Sequence, residues 1–304
     1  MADTYSPRTA SYRSSPADAS QWLFRSVFSL AIATFFLMGL GSATRVMNAG
    51  LACPDWPLCY GSVLPAAEMN VQVFLEWFHR LVATFVGGVT LVLAGLAVWY
   101  RHILPPWLPR AMGGAIALVL TQGILGGLTV TELLRFEVVT AHLGTGLLFF
   151  SLLLGITAAL MPFTPTGTAA PLVGAGAAAA TLIYGQSILG ALVASRWALH
   201  QCFANADLCT VMNSHLLGIV PATLGAVVLV AMAWRTAALQ PVLRRLSYLL
   251  FGLLLLQLAL GYATYRLHLQ VAPLTVAHQS IGAALLGTTV CFTVLAWRDR
   301  LGGM

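Results

Sequence analysis

The sequence predicts an all-α membrane protein of eight transmembrane helices, arranged as two pseudo-symmetric four-helix bundles. Three observations carry this reading. Of 304 residues, 59% are hydrophobic and only 8% are charged, against about 25% charged in an average soluble domain. No water-soluble core could bury that much apolar surface, so the natural solvent is the lipid bilayer. Apolar runs long enough to cross a bilayer recur near residues 24–44, 75–99, 111–131, 138–160, 172–195, 213–234, 246–266 and 274–297. Finally, the chain repeats itself. His79 and His142 are 63 residues apart, and so are His215 and His278. TQGILGGLTV and TAHLGTGLL in the first half are echoed by LQLALGYATY and VAHQSIGA in the second. Four spans per half is an even number, so both halves enter the membrane in the same direction, as a parallel repeat.

Taken in order, residues 1–22 are polar and read as a short disordered cytoplasmic tail. They lack the basic, apolar, small-residue order of a secretory signal, and Asp3 and Asp18 argue against a mitochondrial transit peptide. Residues 23–160 form the N-terminal bundle, 161–171 an uncharged Pro-containing linker, and 172–298 the C-terminal bundle. The loops orient the spans. All 15 basic residues are Arg, and the net charge is +6. Arg8, Arg13, Arg25, Arg101, Arg110, Arg235, Arg244, Arg245, Arg298 and Arg300 fall on one side, which the positive-inside rule makes cytoplasmic together with both termini. The other side holds the two longest loops, near 45–74 and 196–212. No basic block interleaved with aromatics is present, which sets nucleic acid aside. The expected location is a bacterial cell membrane, ahead of the mitochondrial inner membrane.

His79, His142, His215 and His278 stand near the starts of spans 2, 4, 6 and 8, all of which run from outside to inside. The four imidazoles therefore share one depth near the outer face. A histidine pair on facing helices is how a bundle grips haem iron from both sides. One histidine in a span is as often a polar helix contact, but that reading does not explain four at matched spacing. Zinc is disfavoured because neither pair has a third protein ligand nearby. His102, His200 and His268 fall in loops or at span ends and read as solvated. Gly144, Gly146, Gly218 and Gly282 follow the candidate ligands. They would let a flat macrocycle approach, or equally let helices pack closely.

Glu76 precedes His79 by three residues, which puts both on one helix face. In the first turn of a span it could simply favour the helix dipole, a contribution of about 0.3–1 kcal/mol. Its counterpart in the second half is Met212, so the halves share ligands but not the acid. That asymmetry points to chemistry at one site only. Arg45, Arg80, Arg196 and Arg266 lie at outer span ends, against the charge trend. Guanidinium pairs well with haem propionates, Arg80 being the foremost candidate; snorkelling to the interface is the plainer explanation. Cys53 with Cys59 and Cys202 with Cys209 lie in the two outer loops, in the oxidising compartment. Disulfides are expected there, each a staple of roughly 2 kcal/mol, with a redox role as the minor alternative for CPDWPLC.

These residues carry a resemblance over nearly the whole chain. TRVMNAGLACPDWPLCYG, EWFHR, TAHLGTG, NSHLLG and VAHQSIGA, in that order, resemble haem A synthase, the membrane enzyme that makes the haem of terminal oxidases. The resemblance implies conversion of haem O to haem A, with the methyl at ring position 8 hydroxylated twice and dehydrated to a formyl group. It implies that His215 and His278 hold a resident haem B and that His79 and His142 belong to the substrate site. It implies that Glu76 is the functional acid, that Cys53 and Cys59 are the loop pair, and that a haem O synthase supplies the substrate. Two other classes compete: a two-haem b-type electron carrier, which would not need Glu76, and a membrane thiol oxidoreductase, which would leave the four histidines unexplained.

Overall fold

The computed structural model describes residues 16–196 and 206–302, with side chains described for 20–194 and 210–302. Among these residues run eight helices long and apolar enough to cross a membrane. They are α1 (Pro16–Val46), α2 (Val71–Trp99), α3 (Leu108–Thr131), α4 (Phe136–Leu160), α5 (Ala170–Arg196), α6 (Ala206–Arg235), α7 (Pro241–Arg266) and α8 (Ala272–Leu301).

The helices overrun the apolar stretches because caps, not hydropathy, set their ends. The Asn70 side chain accepts the Val73 N–H at 3.0 Å and starts α2 four residues before the apolar run. Gln240 accepts from Val242 N–H and begins α7 with a proline in its first turn. Helix α1 already begins at Pro16, inside the stretch read from sequence as a disordered tail. Proline suits a helix start because its missing N–H would go unpaired there anyway.

Within the first half, α1 packs on α2 and α4, and α3 on the same two, closing a ring of four. In the second half, α5 and α7 each pack on α6 and α8. The rings meet through α1, α4, α5 and α8. One apolar core runs through both, from Leu23 and Val27 through Phe150 and Leu153 to Leu229 and Phe292. Helices α4 and α8 are the most buried. In lipid, such contacts rest on close packing rather than on the expulsion of water. Gly287 of α8 accordingly faces Leu154 and Phe150 of α4, with no room for a Cβ.

The repeat extends to the turns. Leu133 and Leu134 after α3, and His268 and Leu269 after α7, are consecutive non-glycine residues at positive φ. The Leu134 N–H returns to Thr129 O at 2.8 Å and the Leu269 N–H to Thr264 O at 3.0 Å. Each such residue costs on the order of 1 kcal/mol, and the same hydrogen bond holds both turns.

The linker between the halves carries no charge of its own, but the end of α8 holds it. Arg298 donates to Ala158 O at 2.7 Å and Met161 O at 2.8 Å, closing the C-terminus of α4. Asp299, fully buried, accepts from Thr166 N–H at 2.7 Å and Ala169 N–H at 2.9 Å, just before α5 begins. Two adjacent charged residues thus fix where one half ends and the next starts.

Candidate functional site

His79, His142, His215 and His278 lie within the first ten residues of α2, α4, α6 and α8. Each ring rests on a glycine of the preceding helix. A Cβ at Gly41 would stand 2.9 Å from His79 Nε2, and one at Gly126 3.5 Å from His142 Cε1. At Gly190 it would stand 3.0 Å from His215 Cε1, and at Gly261 2.9 Å from His278 Cε1. At Gly41, Gly190 and Gly261 the imidazole occupies the space a side chain would take, whereas at Gly126 a Cβ would meet the ring at ordinary contact distance.

The glycines that follow the histidines receive side chains of the neighbouring helices, the close packing that is one of their two readings. Gly146 faces Gln122, Gly218 faces Gln186 and Gly282 faces Gln257, while Gly144 receives Ile188 and Tyr184 from α5. These glutamines were not singled out in the sequence. The signal was present as a glutamine four residues before each ring-bearing glycine, in α3, α5 and α7. Gln122 donates to His142 O at 2.9 Å and Gln186 to His215 O at 2.8 Å.

In the second half, His215 and His278 line one cavity of about 320 Å³ with mostly apolar walls, at the lower end of the roughly 300–1,000 Å³ usual for small-molecule sites. Arg45 reaches this cavity from α1 of the other half. Its Nη2 donates to Gln279 Oε1 at 3.0 Å, beside His278, and its Nη1 is buried without a partner. Met212 also lines the cavity, buried against Val193. Two neutral ring nitrogens, apolar walls and an unpaired guanidinium nitrogen match the needs of an iron porphyrin with carboxylate side chains.

The first half is roofed by the loop between α1 and α2. Cys53 and Cys59 form a disulfide, and both are buried. Asp55 accepts from Tyr60 N–H at 2.6 Å and Gly61 N–H at 2.8 Å. The Gly61 hydrogen bond leads in holding the Asp55 carboxyl below its ordinary range. The Trp56 indole lies on Gly127 of α3, beside the glycine that bears the His142 ring.

Glu76 anchors this loop. It is 4% exposed, its Oε2 accepts from Cys53 N–H at 2.8 Å, and its Oε1 pairs with Arg80. Because α2 begins at Val71, Glu76 lies in the second turn, and the helix-dipole explanation no longer applies, since that effect fades within the first turn. Arg80 also donates to the carbonyls of Asp55, Leu58 and Cys53. Its fork is therefore engaged with the loop and Glu76. Arg266 ends α7, exposed, and is not among the cavity-lining residues. The Arg196 side chain, Cys202 and the Cys209 side chain lie outside the described residues, as does His200. His102 and His268 are exposed.

The family model for COX15-CtaA, the cytochrome oxidase assembly proteins, matches residues 24–290. A haem A synthase of Shewanella oneidensis is 29% identical, covering 91% of this chain and 96% of its own length. One of Rhizobium etli is 31% identical, covering 89% and 88% respectively. One of Caulobacter vibrioides is 27% identical, covering 90% and 95%. With eight apolar helices and the four histidines in matched places, the chain belongs to the COX15-CtaA family of cytochrome oxidase assembly proteins, a family of haem A synthase oxidoreductases.

Proposed function

We propose that the protein converts haem O to haem A, oxidising the C8 methyl to a formyl group by successive hydroxylation. In this reading the substrate haem O binds between His79 and His142, and a resident haem B is held by His215 and His278. The observation that carries it is the asymmetry of two otherwise matched pairs. Met212 lines the cavity of the second pair, and its counterpart in the first half is Glu76, a buried carboxylate. His215 and His278 would hold the haem B, which when bound would supply one-electron transfer.

The other steps belong to the chain's own residues. Oxidising a methyl conjugated to a porphyrin leaves an electron-poor carbon, and a fixed negative charge nearby stabilises it. Glu76 offers that charge. Two of its roughly four lone-pair directions are used by Arg80 and Cys53, leaving others to accept a proton from attacking water. Arg80 holds the carboxylate in place and ties it to the loop. Arg45 is the cation best placed for a propionate in the second half. A haem O synthase is the expected supplier, since the substrate is that enzyme's product. The buried disulfide argues against a thiol oxidoreductase, whose sulfur must be open to attack.

The test is pigment identity. Membranes containing the protein, supplied with haem O, should yield haem A beside haem B on extraction and mass analysis. Haem B alone, with haem O unconverted, would leave only electron transfer.

The same reading places both termini in the cytoplasm and the disulfide loop outside. Val63 is highly exposed in that loop. In sealed cells a Val63→Cys variant should react with a membrane-impermeant maleimide, whereas Arg101→Cys should react only after lysis. The reverse pattern would invert the topology.

A further inference from the structure

We propose that Gln122, Gln186 and Gln257 are positioning residues for the haem ligands, and that Leu37, standing where a fourth glutamine would be, makes His79 the ligand that yields when substrate and product exchange. The proposal rests on the assignment of the two histidine pairs given above.

Four helix hairpins carry the four histidines, and three share one device. The first helix of each supplies a glutamine and, four residues on, the glycine on which the next helix's imidazole rests: Gln122 and Gly126, Gln186 and Gly190, Gln257 and Gly261. The second helix supplies a glycine three or four residues after the histidine, where the glutamine side chain fits: Gly146, Gly218 and Gly282. The amide then crosses to the ligand. Gln122 Nε2 donates to His142 O at 2.9 Å. Gln186 Nε2 donates to His215 O at 2.8 Å and stands 3.1 Å from His215 Nδ1. Gln257 Nε2 lies 3.5 Å from the His278 ring.

The first hairpin departs on both sides. Gly41 bears the His79 ring, but the residue four before it is Leu37. The positions three and four after His79 are Val82 and Ala83 rather than glycine. Among the described residues no side chain donates to the His79 carbonyl. Leucine has nearly the length of glutamine but no donor, so α1 and α2 pack without the polar tie.

A crossing amide fixes the rotation and separation of two helices at the ligand. At His215 and His278 it also puts a hydrogen-bonding group beside a ring nitrogen, which sets ring orientation. The Oε1 atoms of Gln186 and Gln257 and the Nδ1 atoms of His278 and His142 are buried without partners, so all three propped ligands stand in surroundings with room for further such bonds. Both second-half ligands are propped, which suits a group that stays. In the first half only His142 is propped, which suits a site that must release its product every cycle.

The test measures haem release from the purified full-length protein into excess apomyoglobin, followed by absorbance, together with the low-spin spectrum of the bound pigment. Gln186→Leu and Gln257→Leu should each speed haem B release about tenfold, the effect of one lost hydrogen bond, and weaken its low-spin signal. Gln122→Leu should speed release from the substrate site alone. Leu37→Gln combined with Ala83→Gly should slow substrate-site release by a similar factor. Should that double variant fail to fold, Leu37→Gln alone is read instead, and an unchanged substrate-site release rate in the variant read would overturn the role of Leu37. Parent release rates in all three glutamine replacements would overturn the glutamine role. Parallel His215→Ala and His79→Ala samples report which pair holds which pigment; loss of haem B with His79 would overturn the underlying assignment instead.

Discussion

Replacing His215 or His278 with alanine should give a protein that inserts normally but is purified without its low-spin haem. His215 and His278 would hold the haem together, so removing one leaves a single histidine to hold it. Even disturbing the partners of a ligand commonly costs 10–100-fold in affinity, so loss of the ligand itself should exceed about 100-fold. The walls are mostly apolar, and the nearby amides of Gln186 and Gln257 are poor iron ligands. The same replacement at His79 or His142 should leave that low-spin spectrum intact and abolish haem A formation. Spectra of the four purified variants decide the matter. If His79→Ala strips the resident haem, the two halves have exchanged roles.

The spans, the repeat and the histidines were legible in the sequence because each is a property of spacing along one chain. Lipid demands about 20 apolar residues per crossing, and the matched interval of the ligands survives in plain view. Glu76 stood out for a related reason, since the repeat pairs it with Met212. What spacing does not reveal is which helix faces which. Gly146, Gly218 and Gly282 could not be told from packing glycines until α3, α5 and α7 brought glutamines against them. Asp299 carries no sequence signal, yet it is buried and holds the linker between the halves. Arg80 illustrates the same limit. Its place beside a ligand made it a propionate candidate, but its bonds to the folded loop carry no mark along the chain. Arg45, read as one of four span-end candidates for a propionate, crosses to the other half's cavity. No one-dimensional pattern could have indicated that.

Glu76→Gln should leave the protein inserted, its disulfide formed and its resident haem normal, while haem A formation falls about a hundredfold or more and haem O or a partly oxidised haem accumulates. The folding cost is larger than a helix-end charge would suggest. Glu76 is buried and pairs with Arg80, and a hydrogen bond to a charged group contributes about 1.5–3 kcal/mol. The loss stays bounded, because glutamine Oε1 can still accept from Cys53 N–H and Arg80 keeps the Asp55, Leu58 and Cys53 carbonyls. Removing a charge that stabilises a transition state costs more in rate, on the order of 100–1,000-fold. Two roles must be separated, since Glu76 both anchors the loop and stands one turn from His79. Loop integrity is read independently, from the fraction of Cys53 and Cys59 protected against alkylation without reductant and from protease cleavage between residues 50 and 70. A catalytic Glu76 predicts an intact loop and no haem A. A pure anchor predicts that haem A falls only as the loop opens, and near-normal haem A in Glu76→Gln with a closed loop would remove the residue from the chemistry.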